Sequence, residues 1–379
     1  MATTSTYPIV TPKVEDLIVG TQTYTEEDPV LDNPTSNFTI ESLVSLVELK
    51  AAGVQSLNSL AGNLNVVAGN AGINVTTNGS NEIVITNAET GGNYLEDVFV
   101  TGGVAQLGVV LTVPEGSVSL TDNFAFTAKI IEVSFPSTLT STSTSSFASN
   151  LLTEIDVNNI TNIGAGSFSS NPYLNTLNLR SVQTIGNDAF NSTGYLSNGY
   201  DLVFPSTLTS IGYYAFHGSK INSVTFDAAN QVTNLQAAAF ANTSGFTSIS
   251  LPSNLVTIGN SAFLGSDLTS IIVPNSVTSI GTQAFEASPL TSAVINNGTI
   301  GNYAFRNITT LTSLTLNSGV TSIGDQSFLN LGITTVTIPS TVTSMGTDAF
   351  NGNLSLTSAI INSTVIGITA FANSSLLST

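Results

Sequence analysis

The sequence predicts a mainly β solenoid of about twelve coils, preceded by an extended arm, one short helix and a small β oligomerisation module. Three observations carry that prediction. Phenylalanine recurs at Phe126, Phe147, Phe168, Phe190, Phe216, Phe240, Phe263, Phe285, Phe305, Phe328, Phe350 and Phe371, so that neighbours differ by 20 to 26 positions. Five places before most of these stands an isoleucine followed by glycine, as at Ile163, Ile185, Ile211, Ile258, Ile280, Ile300, Ile323 and Ile366. The first hundred residues share none of this rhythm. A fixed period in this range marks a stack of small units, none of which buries a core alone.

Residues 1–36 form the predicted arm. Pro8, Pro12, Pro29 and Pro34 keep it extended. It is also acidic: Glu15, Asp16, Glu26, Glu27, Asp28 and Asp32 stand against Lys13. In residues 37–53, Ile40, Leu43, Val44 and Val47 fall at helical spacing, with Asn37 or Thr39 as N-cap and Gly53 beyond the end. Residues 54–90 read as short strands separated by Gly and Asn. They are too few to close a core, and an isolated hairpin is marginal in water.

Residues 91–379 form the solenoid, and Ile271 to Phe285 shows one coil. Ile271 and Val273 alternate as in a half-buried strand, and Pro274 ends it by removing a ladder donor. Val277 and Ile280 point to the same interior, and Gly281 is expected to supply a tight turn with positive φ. Ala284 is small enough for close backbone approach, and Phe285 fills the space between coils. Met345 replaces the isoleucine in one coil; Leu235 with Gln236 replaces the isoleucine-glycine pair in another.

These residues resemble the BspA-type leucine-rich repeat, a leucine-to-proline strand followed by an isoleucine-glycine turn and an alanine-phenylalanine anchor. The resemblance covers about residues 104 to 375. It implies a leucine-rich-repeat solenoid whose exposed strands and loops recognise proteins or glycans. A second resemblance lies at the start. Thr11 to Gln22 and Pro34 to Thr39 resemble the beginning of virion structural proteins of tailed phages, which implies virion attachment through Val14, Leu17, Ile18, Gly20 and Phe38. Val54 to Leu64, Ala68 to Thr76 and Asn81 to Thr86 resemble the small, usually trimeric β module of phage tail fibres. Pairing copies around a threefold axis would bury Leu57, Leu60, Val66, Ile73, Val75 and Ile85.

Composition narrows the chemistry. Only 8% of residues are charged, against about 25% in ordinary soluble domains, so Ser, Thr and Asn must supply the polar surface. A formal charge of −18 with six Lys and Arg argues against nucleic acid as a partner. The chain has no cysteine, which removes disulfides, thiol catalysis and zinc-cysteine sites together. No run of 18 apolar residues exists to insert in a membrane, and Met1-Ala2-Thr3-Thr4-Ser5 begins without a signal core. The expectation is assembly in a host cytoplasm followed by release in a virion.

No catalytic, metal or cofactor site is predicted. The single histidine, His217, follows the Ala215-Phe216 anchor at a turn. Glu154, Asp156, Asp201 and Asp227 could supply a carboxylate pair for glycoside hydrolysis, but the sequence places no two across a cleft. Asp325 and Asp348 sit at different offsets in adjacent coils, unlike a calcium ladder. Binding is predicted where the repeat is irregular. The longest step, Phe190 to Phe216, carries Tyr195 and Tyr200, and the next turn holds Tyr213, Tyr214, His217 and Lys220. Tyrosines offer flat apolar faces with polar tips, suited to sugars or to protein hot spots. The Thr-Ser pairs beside each strand, such as Thr247-Ser248 and Thr269-Ser270, are regular and read as structural.

The resulting expectation is a non-enzymatic, homotrimeric virion appendage whose arm docks to other virion proteins and whose repeats engage a host surface glycan or protein. The alternatives are a purely structural fibre or decoration protein and a BspA-like bacterial surface adhesin.

Overall fold

The structure, a computed structural model, describes the backbone of strands β1 (Leu64–Ala68), β2 (Ala71–Thr77), β3 (Ile83–Asn87), β4 (Leu95–Phe99) and β5 (Gly108–Thr112), and residues 111–377 except 114, 119, 121–123 and 125–129. Contacts divide the chain into two units, Met1–Thr112 and Val113–Thr379. The arm (1–36), the helix (37–53) and Val14, Leu17, Ile18, Gly20, Phe38, Leu57 and Leu60 lie outside the described residues.

In the first unit, β1, β2 and β3 form an antiparallel meander in which Val66 opposes Ile73 and Val75 opposes Ile85. Strand β4 pairs antiparallel with β5.

The second unit is a mainly β, parallel solenoid of about eleven turns. Each turn supplies a strand to one or both of two columns. The first column contains β6 (Ile130–Ser134), β7 (Glu154–Asp156), β9 (Thr176–Asn178), β11 (Tyr200–Phe204), β13 (Lys220–Phe226), β15 (Ser244–Gly245), β17 (Ser270–Val273), β21 (Thr335–Ile338) and β23 (Ser358–Ile361). The second contains β8 (Asn162–Ile163), β10 (Thr184–Ile185), β12 (Ser210–Ile211), β14 (Asn234–Leu235), β16 (Thr257–Ile258), β18 (Ser279–Ile280) and β22 (Ser344–Met345). Two long strands, β19 (Ser292–Ile300) and β20 (Ser313–Ile323), belong to both. Proline marks part of the difference. Pro205, Pro274 and Pro339 directly follow β11, β17 and β21 and stop them. No proline follows Ile295 or Leu316, so β19 and β20 run through the corner. The second column is continuous from β8 to β22, whereas the first breaks between β9 and β11 among other places.

The core is the phenylalanine stack. Phe147 to Phe350 are fully buried, and successive rings lie 4.9 to 5.6 Å apart and within 17° of parallel. Each buried ring contributes about 1.5–3 kcal/mol. The ring stacked on Phe147 is Phe124; Phe126, the first predicted anchor, lies outside the described residues.

The glycine of the isoleucine-glycine pair is needed for a different reason from the one expected. Gly281 does not have positive φ; a Cβ there would lie 2.5 Å from the backbone nitrogen of Asn260 in the preceding coil. Left-handed backbone instead falls two places to either side of each anchor, as at Gln283 (φ 59°) and Ala287 (φ 57°) around Phe285.

Polar columns tie the coils together. Three residues after most anchors stands a buried polar side chain, including Asn150, Asn171, Thr193, Ser219, Thr243, Ser266, Ser288 and Asn353; Ile308 and Leu331 take the place after Phe305 and Phe328. Asn171 Nδ2 donates to the carbonyls of Phe147 (3.0 Å) and Phe168 (2.8 Å), and Ser288 Oγ donates to that of Phe263 (2.8 Å). Beside the strands, Thr269 Oγ1 donates to the Thr247 carbonyl at 3.1 Å and Thr291 Oγ1 to that of Thr269 at 3.0 Å. The threonine row is thus structural, as its regularity indicated. Among the described residues there is no helix, and hence none long and apolar enough to cross a membrane.

Candidate functional site

The coil between Phe190 and Phe216 departs from the repeat, and its insertion is anchored by backbone. Gly194 N–H donates to the Asn171 carbonyl (3.1 Å), Leu196 N–H to that of Pro172 (2.8 Å), and Ser197 Oγ to that of Leu174 (2.7 Å). Two predicted ligand residues turn out to hold this insertion in place. Tyr200 is 1% exposed, with its hydroxyl 2.8 Å from Thr193 Oγ1, and burial pushes its phenol pKa up. Its ring fills core volume made by the longer loop, so it offers no face to a ligand. Lys220 Nζ donates to the Ser197 carbonyl at 2.9 Å, which clamps the insertion to the next coil.

The remaining predicted residues reach the surface. Tyr195, Tyr213 and Tyr214 are 50%, 48% and 46% exposed. Tyr214 and His217 meet edge to face at 5.7 Å, and Asn242 Nδ2 lies 3.1 Å from His217 Nε2. Tyr213 is fixed at its backbone, where its N–H donates to Asn187 Oδ1 at 3.0 Å. Tyr195 and the exposed Leu196 sit on the insertion itself. The structure therefore joins Tyr214, His217 and Asn242 into one cluster, and Tyr195 makes no ring contact with it.

On the strand side of the same coil, sequence reasoning missed a cleft. It lies between β9 and β11, has a volume of about 560 Å³, and is lined chiefly by Asn175, Asn178, Arg180, Asp201, Val203 and Pro205. Arg180 donates through Nε and Nη2 to the two carboxylate oxygens of Asp156, and these bonds hold the Asp156 carboxyl below the usual range. Asp201 Oδ1 accepts from Ser223 Oγ at 2.5 Å. A signal did exist. Leu179 replaces the proline that Pro136, Pro205, Pro274 and Pro339 supply in other coils, and Arg180, directly after it, is one of only six cations.

The acidic residues weighed for catalysis or metal binding are occupied singly. Asp201 is the one carboxylate lining the cleft. Asp227 Oδ1 accepts from the Ala229 N–H, and Asp325 Oδ1 accepts from the Thr347 N–H at 2.7 Å. Asp348 is held below the usual carboxylate range by Thr369 and Asn351. Among the described residues no three His, Cys, Asp or Glu side chains gather in a group that could hold a metal ion.

The repeat has counterparts among known proteins. The family description "BspA type Leucine rich repeat region" matches residues 111–200, 196–299 and 288–379. No curated protein matches the chain. Among solved structures, the chain is similar to a leucine rich cell surface protein from Faecalibacterium prausnitzii A2-165, with 21% identity, 83% of this chain and 93% of that one covered, and a TM-score of 0.41. It is also similar to the pneumococcal vaccine antigen PcpA (17%, 83% and 86%, 0.39) and to a leucine-rich repeat protein from Bacteroides ovatus ATCC 8483 (16%, 83% and 93%, 0.33). Likeness at this level says nothing about what the chain binds. The family match spans most of the chain, the two strand columns and the whole phenylalanine stack from Phe147 onward: the chain belongs to the BspA-type leucine-rich repeat family.

Proposed function

We propose that this chain is a surface-displayed recognition protein of the adhesin kind, with the solenoid as a rigid rod that presents one irregular coil to a partner. The observation that carries this reading is the concentration of irregularity. Threonine, asparagine and serine columns tie regular coil to regular coil. The coil from Phe190 to Phe216 instead exposes Tyr195, Tyr213 and Tyr214 and borders a cleft. A host surface glycan or protein is the partner this favours, and the charge of −18 favours neutral or cationic chemistry.

The test is adsorption of the purified full-length chain to a panel of bacterial and epithelial cells, read by flow cytometry. Saturable adsorption to at least one cell type supports recognition, and its absence throughout the panel rejects it. Substituting Tyr195, Tyr213 and Tyr214 by Ser then assigns or acquits the tyrosine face.

A second reading, a virion appendage with or without receptor binding, has its own support in the resemblance of residues 11–39 and 54–86 to virion proteins. The β1–β3 pairing supports it by opposing Val66 to Ile73 and Val75 to Ile85 in a meander too small to be stable alone. The reading expects a homotrimer attached through the arm. Light scattering on the intact chain decides: a trimer that dissociates on Ile73→Lys supports it, and a monomer rejects it.

A further inference from the structure

We propose that the cleft between β9 and β11 binds a neutral saccharide chain laid across the strand face. This rests on the recognition role above and gives it a site and a ligand class. The cleft lies beside the insertion. Residues Gly194 to Ser197 take the carbonyls of Asn171, Pro172 and Leu174, and the sheet does not continue from β9 to β11. Strand β9 pairs with β7, and β11 with β13. The volume of about 560 Å³ lies within the usual span of small-ligand sites, roughly 300–1,000 Å³.

The lining selects the ligand. The lining supplies the amides of Asn175 and Asn178, the carboxylate of Asp201 and the guanidinium of Arg180, each partly engaged: Asn175 Oδ1 accepts from Thr176 Oγ1, Asn178 bonds Asp156, and Asp201 Oδ1 accepts from Ser223 Oγ. Their remaining N–H groups and lone pairs suit the hydroxyls of a sugar ring. Arg180 spends Nε–H and one Nη2–H on Asp156, so three of its donors remain. Val203, 56% exposed, and Pro205 add an apolar edge for the C–H face of a pyranose.

Charge and shape exclude two competitors. Asp156 neutralises Arg180, which leaves Asp201 as the net charge of the lining, so an acidic sugar meets repulsion. An extended peptide would need pockets for alternate side chains. Leu177 and Leu179, 5% and 2% exposed, are packed into the core and open no such pocket.

The experiment applies the full-length protein to an array of neutral glucan, mannan and galactan fragments, their sialylated or sulfated counterparts, and extended peptides. Calorimetry follows on the strongest binder. The expected result is binding of a neutral oligosaccharide, weakened about tenfold or more by Asp201→Ala and by Asn178→Ala. Both residues are exposed, so melting temperatures should stay near wild type; Val203→Arg, which narrows the mouth, is a second and independent block. The double variant Tyr213→Ser, Tyr214→Ser should bind the sugar as wild type does. The proposal is overturned if no neutral oligosaccharide binds, if acidic glycans or peptides bind better, or if Asp201→Ala and Asn178→Ala leave affinity unchanged. Cell adsorption that survives those cleft variants overturns the cleft alone; absence of adsorption by wild type overturns the recognition reading beneath it.

Discussion

Ser327 shows how finely the repeat prescribes a single position. It precedes an anchor phenylalanine in the slot that Ala239, Ala284, Ala304 and Ala349 fill in other coils. Its hydroxyl is fully buried without a hydrogen-bond partner, whereas Ser146 and Ser167 in the same slot both donate to the Ser143 carbonyl. A buried, unpaired hydroxyl costs about 1–3 kcal/mol. Ser327→Ala should therefore raise stability by about 1 kcal/mol, measured as a later urea midpoint at unchanged slope. A fall in the midpoint would reveal a partner for the hydroxyl. Tyr200 makes the complementary point about legibility. Its residue type suited a binding surface, but burial depends on what the loop packs against, and no local pattern encodes that.

At the scale of one coil, glycine and the anchor divide the work. The Cβ of Gly281→Ala would stand 2.5 Å from the Asn260 nitrogen and 2.6 Å from the Gly259 carbonyl carbon. Backbone is the obstacle, so coil spacing must give, and a loss of more than about 2 kcal/mol is expected by thermal or urea unfolding. Ala287→Gly should do the opposite. Ala287 holds φ at 57° where Gly218, Gly265 and Gly352 occupy the equivalent place, and relief of that backbone should stabilise by about 1 kcal/mol. An equal loss from both changes would reject this division. The sequence already marked the isoleucine-glycine pair as essential. Its physical role was hidden, because close approach and left-handed backbone select the same residue, and only coordinates separate them.

At the scale of the molecule, electrostatics give an acid limit. Arg180 lowers the Asp156 pKa, and Thr369 and Asn351 lower that of Asp348. A lowered folded pKa stabilises above the unfolded value, near 4, and that contribution is lost as pH falls through the folded value. Melting temperature should thus hold between about pH 7 and 5 and drop by about pH 3, with a smaller drop in Asp156→Asn. A chain equally stable at both ends would show that these carboxyls carry no share. Damage to the stack should be larger and independent of pH: Phe263→Ala should cost about 3–5 kcal/mol, since the ring is fully buried between Phe240 and Phe285.

The repeat, its period, the strand ended by proline and the phenylalanine core were all determined by the sequence alone. The reason is geometric. In a solenoid nearly every contact joins residues one period apart, such as Thr291 to Thr269 or Ser288 to Phe263, so the fold's contacts are written along the chain as recurrence. The tertiary structure decided what recurrence does not carry. It buried Tyr200, tied Lys220 to the Ser197 carbonyl, left Tyr195, Tyr213 and Tyr214 outside, and set Asn178, Arg180 and Asp201 around one opening. Those placements follow from how a single insertion seats against the coils on either side of it. An insertion occurs once, so it has no pattern to read, and only its packing shows where a ligand can enter.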